Sequence, residues 1–322
     1  MSNESGEANM SRPLLRAVRP LAMLIAIGLL VAAAVAVWQQ RDTITDALSA
    51  VRRPDPLALT ILMASVLASI FLSGVMFQLL MSRYGRIGFL EMQAIVAGTI
   101  LLNYLPLRPG LVSRIAYHRI VHRIRAIDTT KVAVQAALIT ALIALYLALA
   151  SYVTVRSAIP LWLGALGPIV VVLIGLITPW RLGFAAVGVR YVEVLIWVAR
   201  YHAAFALIDS PITLNIAIAF ACISVITGMV PLVSNGLGLR EWAVGLVAPL
   251  LTTYHLERAL TAELVNRAAE IIVVAIVGGA ALVYLTRRRA AHAMHTTNHA
   301  MKNCESYSTP NSVENAKQRT SE

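Results

Sequence analysis

The 322-residue chain is 58% hydrophobic and only 13% charged, with 27 Lys and Arg against 16 Asp and Glu, a formal net charge of +11. Soluble domains carry about twice that charged fraction, and the mean hydropathy is +0.74. A soluble globular domain is therefore set aside, and so is nucleic-acid binding. The basic residues fall between long apolar runs, where they set orientation and meet anionic headgroups. Cys222 lies in an apolar run and Cys304 in a polar stretch, so no disulfide framework or metal knuckle is expected.

Taken in order, residues 1–19 read as a polar cytoplasmic tail ending in Arg12, Arg16 and Arg19. The sequence predicts a first span over Pro20–Trp38 that lacks a small-residue cleavage site. A second covers Leu57–Met81. Phe89–Leu105 is apolar but holds Glu91, Gln93, Thr99 and Asn103, and reads as a re-entrant or half-crossing helix. Val112–Lys131 carries Arg114, His118, Arg119, His122, Arg123, Arg125 and Lys131. Ile115, Ile120, Ile124 and Ile127 are spaced among them, which reads either as one basic amphipathic helix at the headgroups or as a solvated connector. Further spans are expected over Val132–Val153, Ile159–Thr178, Gly183–Ile208, Pro211–Val230 and Leu264–Leu285, with a short crossing at Trp242–Leu251. The prediction is an all-α polytopic membrane bundle of about eight crossings plus a re-entrant or broken segment. Its transmembrane domain would be residues 20–286, with a basic interfacial segment at 108–131 and a helix break at 231–241. Residues 287–322 would form a disordered cytoplasmic tail. Counting Lys and Arg on either side puts both termini in the cytoplasm.

Two interruptions stand out, one in each half. Asn103–Arg114 contains Pro106, Pro109 and Gly110 around Arg108. Pro231–Glu241 contains Asn235, Gly236 and Gly238 before Arg240 and Glu241. Proline removes an amide proton and glycine frees the backbone. Non-helical backbone at membrane depth must be covered by protein or line a polar cavity, and paired interruptions of this kind point to a binding site. Arg108 and Arg114 are candidate phosphate partners, or arginines that snorkel to the interface. Arg240 and Glu241 follow loop amides that could hold an anion, or form a structural ion pair. Arg190 and Glu193 share a face of one span, with Arg200 further along it. Arg267 and Glu270 repeat the three-residue spacing near Glu263 and Asn266. Intramembrane charges face inward and pair, so cross-helix pairs around one central cavity are expected, without a sequence rule for who meets whom. Glu91 reads as a helix cap or a cavity group. Phosphate-loop, dinucleotide, zinc-protease and serine-hydrolase signatures are absent from the sequence. No cofactor, metal site or catalytic residue is assigned.

Asn103, Pro106, Arg108 and Gly110, with Arg114 after them, resemble an N-x-x-P-x-R-x-G motif. Pro231–Glu241 resembles P-x-x-x-G-G-L-G-x-R-E, and Arg267 a third family position. Together they resemble the lysylphosphatidylglycerol synthase transmembrane-region family, over about residues 15–287. Leu111 stands where the family often has glutamate, and Asn235 replaces the first glycine of a pair. The resemblance implies lipid handling in a cytoplasmic membrane, and a substrate site is expected at its motif residues Asn103, Arg108, Arg114, Arg240, Glu241 and Arg267, joined by Arg190 and Glu193 from their shared face within a span. It does not imply lysyl transfer, because residues 286–322 are too few for the soluble synthase domain. A phospholipid or glycolipid translocase is the expected function. An intramembrane lipid-modifying transferase and an accessory subunit of a lipid pathway are the alternatives. Anionic membrane lipids are the expected partners, with a lipid-biosynthesis enzyme or a second copy of the chain as protein partners.

Overall fold

A computed structural model of the chain describes residues 55–105, 109–157, 161–229, 239–251 and 256–307. Within them the chain is all-helical: α1 Pro56–Met81, α2 Phe89–Leu102, α3 Pro109–Val121, α4 Ala126–Ser157, α5 Leu161–Leu176, α6 Arg181–Leu207, α7 Leu214–Gly228, α8 Leu239–Leu251 and α9 Leu256–Tyr307. Asp55 caps α1 by accepting from the Leu57 amide at 3.0 Å, with Pro56 at the first helical position, where the missing amide proton is harmless.

The expectation of about eight crossings is corrected. Among the described residues, four helices are long and apolar enough to cross a membrane: Pro56–Met81, Ala126–Thr154, Arg181–Leu207 and Arg258–Arg288. The other predicted crossings are shorter than their apolar runs. α5 has 16 residues with Pro168 inside it, and α7 has 15, starting only after Pro211 and Thr213. At 1.5 Å per residue these reach about 22–24 Å, less than the roughly 30 Å hydrocarbon core. α8 has 13 residues and begins at Leu239, which puts Arg240 and Glu241 inside its first turn rather than ahead of it. The first predicted span, Pro20–Trp38, lies outside the described residues.

The basic stretch is also not one helix. α3 stops at Val121 and α4 starts at Ala126. Arg123 takes φ 56°, and the Ile124 amide donates back to the His118 carbonyl at 3.1 Å. This is a left-handed helix stop that normally uses glycine. At its other end α9 continues as helix to Tyr307, past the arginines Arg287–Arg289.

α2 and α3 form a hairpin. At its closed end Gly110 lies so close to α2 that a Cβ there would sit 2.2 Å from the Thr99 carbonyl oxygen and 2.3 Å from Asn103 Oδ1. At its open end the Tyr117 hydroxyl donates to Glu91 Oε1 at 2.8 Å. α9 packs along α2 through Gly278, whose missing side chain admits Leu101.

The distribution of side chains is the reverse of a soluble bundle. Leu138, Leu142, Leu145 and Leu149 form an exposed stripe on α4, while Glu193, Arg200, Arg240, Glu263, Arg267 and Glu270 are buried. A surface that apolar calls for lipid, not water, as solvent. The chain is a polytopic all-α membrane protein.

Candidate functional site

α6, α8 and α9 bring their charged residues to one place. Arg200 donates from Nη2 to Glu270 Oε2 at 2.6 Å and to the Asn266 carbonyl at 3.2 Å, and from Nε to the Asn266 side chain. Arg240 donates to Glu263 through Nε and to Glu270 Oε2 through Nη1 at 3.0 Å. The Tyr104 hydroxyl takes the other oxygen of Glu270 at 2.8 Å. The Tyr201 hydroxyl donates to Glu263 and touches Ser224 of α7. The Trp197 ring lies under both guanidiniums, 4.4 Å from Arg200 and 5.3 Å from Arg240. Arg267 pairs with Glu241 at 3.8 Å and lies over the Tyr104 ring at 5.1 Å. Every ion of the set but the half-buried Glu241 is buried, so mutual pairing keeps these charges in the interior.

A cavity of about 200 Å³ opens beside this network. Its polar wall is Ser69 and Ser73 from α1, Arg190, Glu193, Trp197 and Arg200 from α6, Ser224 from α7, Arg240 from α8 and Glu270 from α9. Val66, Ile70, Ile100, Val225 and Val274 form its apolar wall. On one side Arg190 Nη1 meets Glu193 Oε1 at 2.6 Å, Arg190 Nε donates to Thr140 at 2.8 Å, and Ser73 donates to Glu193 Oε1 at 2.8 Å. Three arginines and two glutamates face the space, while Glu263 stands behind Arg240 with no surface on it. The cavity wall thus carries a surplus of positive charge. Two atoms of the wall residues are buried without a hydrogen-bond partner, Nη2 of Arg240 and Oε2 of Glu193. One is a charged donor and the other a charged acceptor. The arrangement can take an anionic oxygen and, across from it, a cationic or hydroxyl group.

The sequence-derived candidates divide. Arg190, Glu193 and Arg240 line the cavity, whereas Glu241 and Arg267 pair with each other outside its lining. Asn103 ends α2 with its side-chain oxygen buried and without a partner. Arg114 sits apart, on Thr99 and the Phe77 ring. Pro109 and Gly110 open α3. Arg108, Pro106, Pro231, Asn235, Gly236 and Gly238 lie outside the described residues. Tyr104, Trp197, Tyr201 and the serines of α1 were not singled out from sequence. A hydroxyl or an indole in an apolar run carries no charge, so nothing marks it out before the helices are packed. Among the described residues no group of three His, Cys, Asp or Glu could hold a metal.

A second polar cluster lies in the α2–α3 hairpin. Glu91 receives Tyr117, contacts His122 Nε2 at 3.3 Å and pairs with Arg288 of α9 at 3.1 Å. His118 beside it is fully buried. Burial, with Arg114 and His122 adding to it, pushes its imidazole down to about 4 from the ordinary 6.5. His118 is neutral at neutral pH, and the unfolded chain binds its proton first. The folded state therefore loses stability as pH falls from about 6.5 to about 4, by on the order of 3 kcal/mol. A melting series of the solubilised protein across that window should show the loss. A His118→Gln variant should flatten it. Equal slopes in the two proteins would refute the assignment.

Fold and site thus define a multi-pass α-helical membrane protein with a charged internal cavity. No family model, curated protein or solved structure matches the chain.

Proposed function

We propose that the central cavity receives the phosphate-bearing headgroup of a membrane lipid and that the protein moves such lipids between leaflets. One observation carries the reading: Arg240 is 2% exposed, faces the cavity, and keeps Nη2 without a partner while its other nitrogens are held by glutamates. A guanidinium fixed in that way is a pre-positioned donor for phosphate oxygen. Glu193 Oε2 gives a complementary acceptor for a cationic or hydroxyl part of the headgroup. The volume is below the roughly 300–1,000 Å³ of whole-ligand pockets, which suits a headgroup whose acyl chains stay in the bilayer. The motif resemblance around Asn103–Arg114 and Pro231–Glu241 supports the same class.

We further assign the chain to the cytoplasmic membrane with both termini on the cytoplasmic side. The basic stretch Arg119–Lys131 sets that side by charge. Arg288 at the end of the α9 span meets Glu91 of α2, and Gly85 after α1 lies against Ile124, so these ends share the level of the basic stretch.

Proteoliposomes holding fluorescent phospholipids, with the outer leaflet bleached chemically, test the function. The protein should speed loss of inner-leaflet signal for at least one anionic headgroup. Arg190→Gln, which changes the cavity wall without opening the Arg200–Arg240 network, should slow it about tenfold, the worth of one charge-assisted contact. Equal rates with and without protein across anionic and zwitterionic headgroups would sink the proposal.

A further inference from the structure

The α2–α3 hairpin holds a polar cluster that the central cavity does not use. Arg114 is 8% exposed. Its Nη2 donates to Thr99 Oγ1 at 2.6 Å, and its flat face lies 3.9 Å from the centroid of the Phe77 ring. Among the described residues it has no carboxylate partner, and its Nε is buried without a hydrogen bond. One turn further on the same face, His118 is 0% exposed and neither ring nitrogen has a partner. At the closed end of the hairpin the side-chain oxygen of Asn103 is likewise buried and unpartnered. Its amide can be turned to present N–H instead, since the two orientations differ only in their hydrogen bonds.

Three side chains of one hairpin with unmet hydrogen-bonding capacity are unusual in a native interior, where such groups are almost always satisfied. An unpaired guanidinium there is the costliest of them. Glu91 does not relieve it, because its two oxygens already serve Tyr117, His122 and Arg288. The charged member of the unmet set is a donor, Arg114 Nε–H, and the one N–H of a neutral His118 is a second; the other ring nitrogen of His118 accepts, and Asn103 becomes a donor only with its amide turned.

We propose that the Arg114–His118 face of the hairpin is a second binding site, separate from the central cavity, for one phosphate-type oxyanion carried by a lipid headgroup or free in solution. The site does not depend on the central cavity handling lipid. A bare structural arginine, stacked on Phe77 and never meeting an anion, is the competing account.

The test uses the full chain in detergent with 13C-labelled histidine, at fixed pH. Comparison with a His118→Gln spectrum identifies the His118 resonance among the seven histidines. Inorganic phosphate, short-chain phosphatidylglycerol and short-chain phosphatidylcholine are titrated in turn, with Trp197 fluorescence reading the central cavity in parallel in a variant whose other four tryptophans are changed to phenylalanine. The His118 resonance should move saturably with phosphate, or with phosphatidylglycerol and not phosphatidylcholine; the first outcome makes it a free-anion site and the second a headgroup site. Arg114→Gln should weaken that response about tenfold or more, and Arg114→Lys should keep part of it. A wild-type His118 resonance that neither phosphate nor phosphatidylglycerol moves overturns the proposal even if Trp197 responds, and so does an Arg114→Gln protein that binds like the wild type. Should Arg114→Gln not fold, the wild-type titration decides alone.

Discussion

In the Glu270→Gln variant the solubilised protein is expected to lose about 3–5 kcal/mol of stability, the usual effect of removing one partner from a buried ion network. Glutamine fills the same volume, so no cavity arises and the loss is electrostatic. The carboxylate of Glu270 accepts from Arg200 at 2.6 Å, from Arg240 at 3.0 Å and from Tyr104 at 2.8 Å. Two guanidiniums that are 1% and 2% exposed would then share a neutral amide. The glutamine NH2 would also turn a donor toward at least one of them. Chemical denaturation in mixed micelles measures the effect. A loss under 1 kcal/mol would mean that water reaches the network and the charges are solvated rather than paired.

Arg240→Gln should be about as damaging alone, because it strands Glu263, which is 0% exposed. Adding Glu263→Gln removes the stranded charge while keeping an acceptor for the Tyr201 hydroxyl. The double variant is expected to recover about 1–3 kcal/mol relative to the sum of the two singles, the range for residues in one network. It should not recover lipid movement, because the guanidinium of Arg240 is gone from the cavity wall in both. Stability and transport would therefore separate in this pair. Additive losses would show that Arg240 and Glu263 do not form a pair, and restored transport would remove Arg240 from the binding role.

The long spans could be read from hydropathy, and Arg190 with Glu193 from spacing along one helix. The crossing number could not, because a hydropathy window counts apolar residues and not the helix that holds them. Pro168 inside α5 and Pro211 before α7 leave helices too short for the membrane. The stop at Arg123 had no sequence mark, since arginine takes a conformation there that usually signals glycine. The partners of the buried charges were hidden for a different reason. Arg200 and Glu270 are 70 positions apart, so their meeting depends on how α6 lies against α9. The anomalous charges themselves were visible from the start, since an arginine or glutamate in an apolar run must find a partner.

α9 joins matters that otherwise look unrelated. It carries Glu270 in the central network and Arg288 on Glu91, 18 residues apart on one unbroken helix, a separation of about 27 Å. A stiff rod held at two points cannot swing at one alone. A tilt of about 10° around Glu270 would carry Arg288 about 5 Å, further than its ion pair with Glu91 can stretch. A tilt of α9 that opened the Arg200–Glu270 contact would therefore also break the Arg288–Glu91 ion pair.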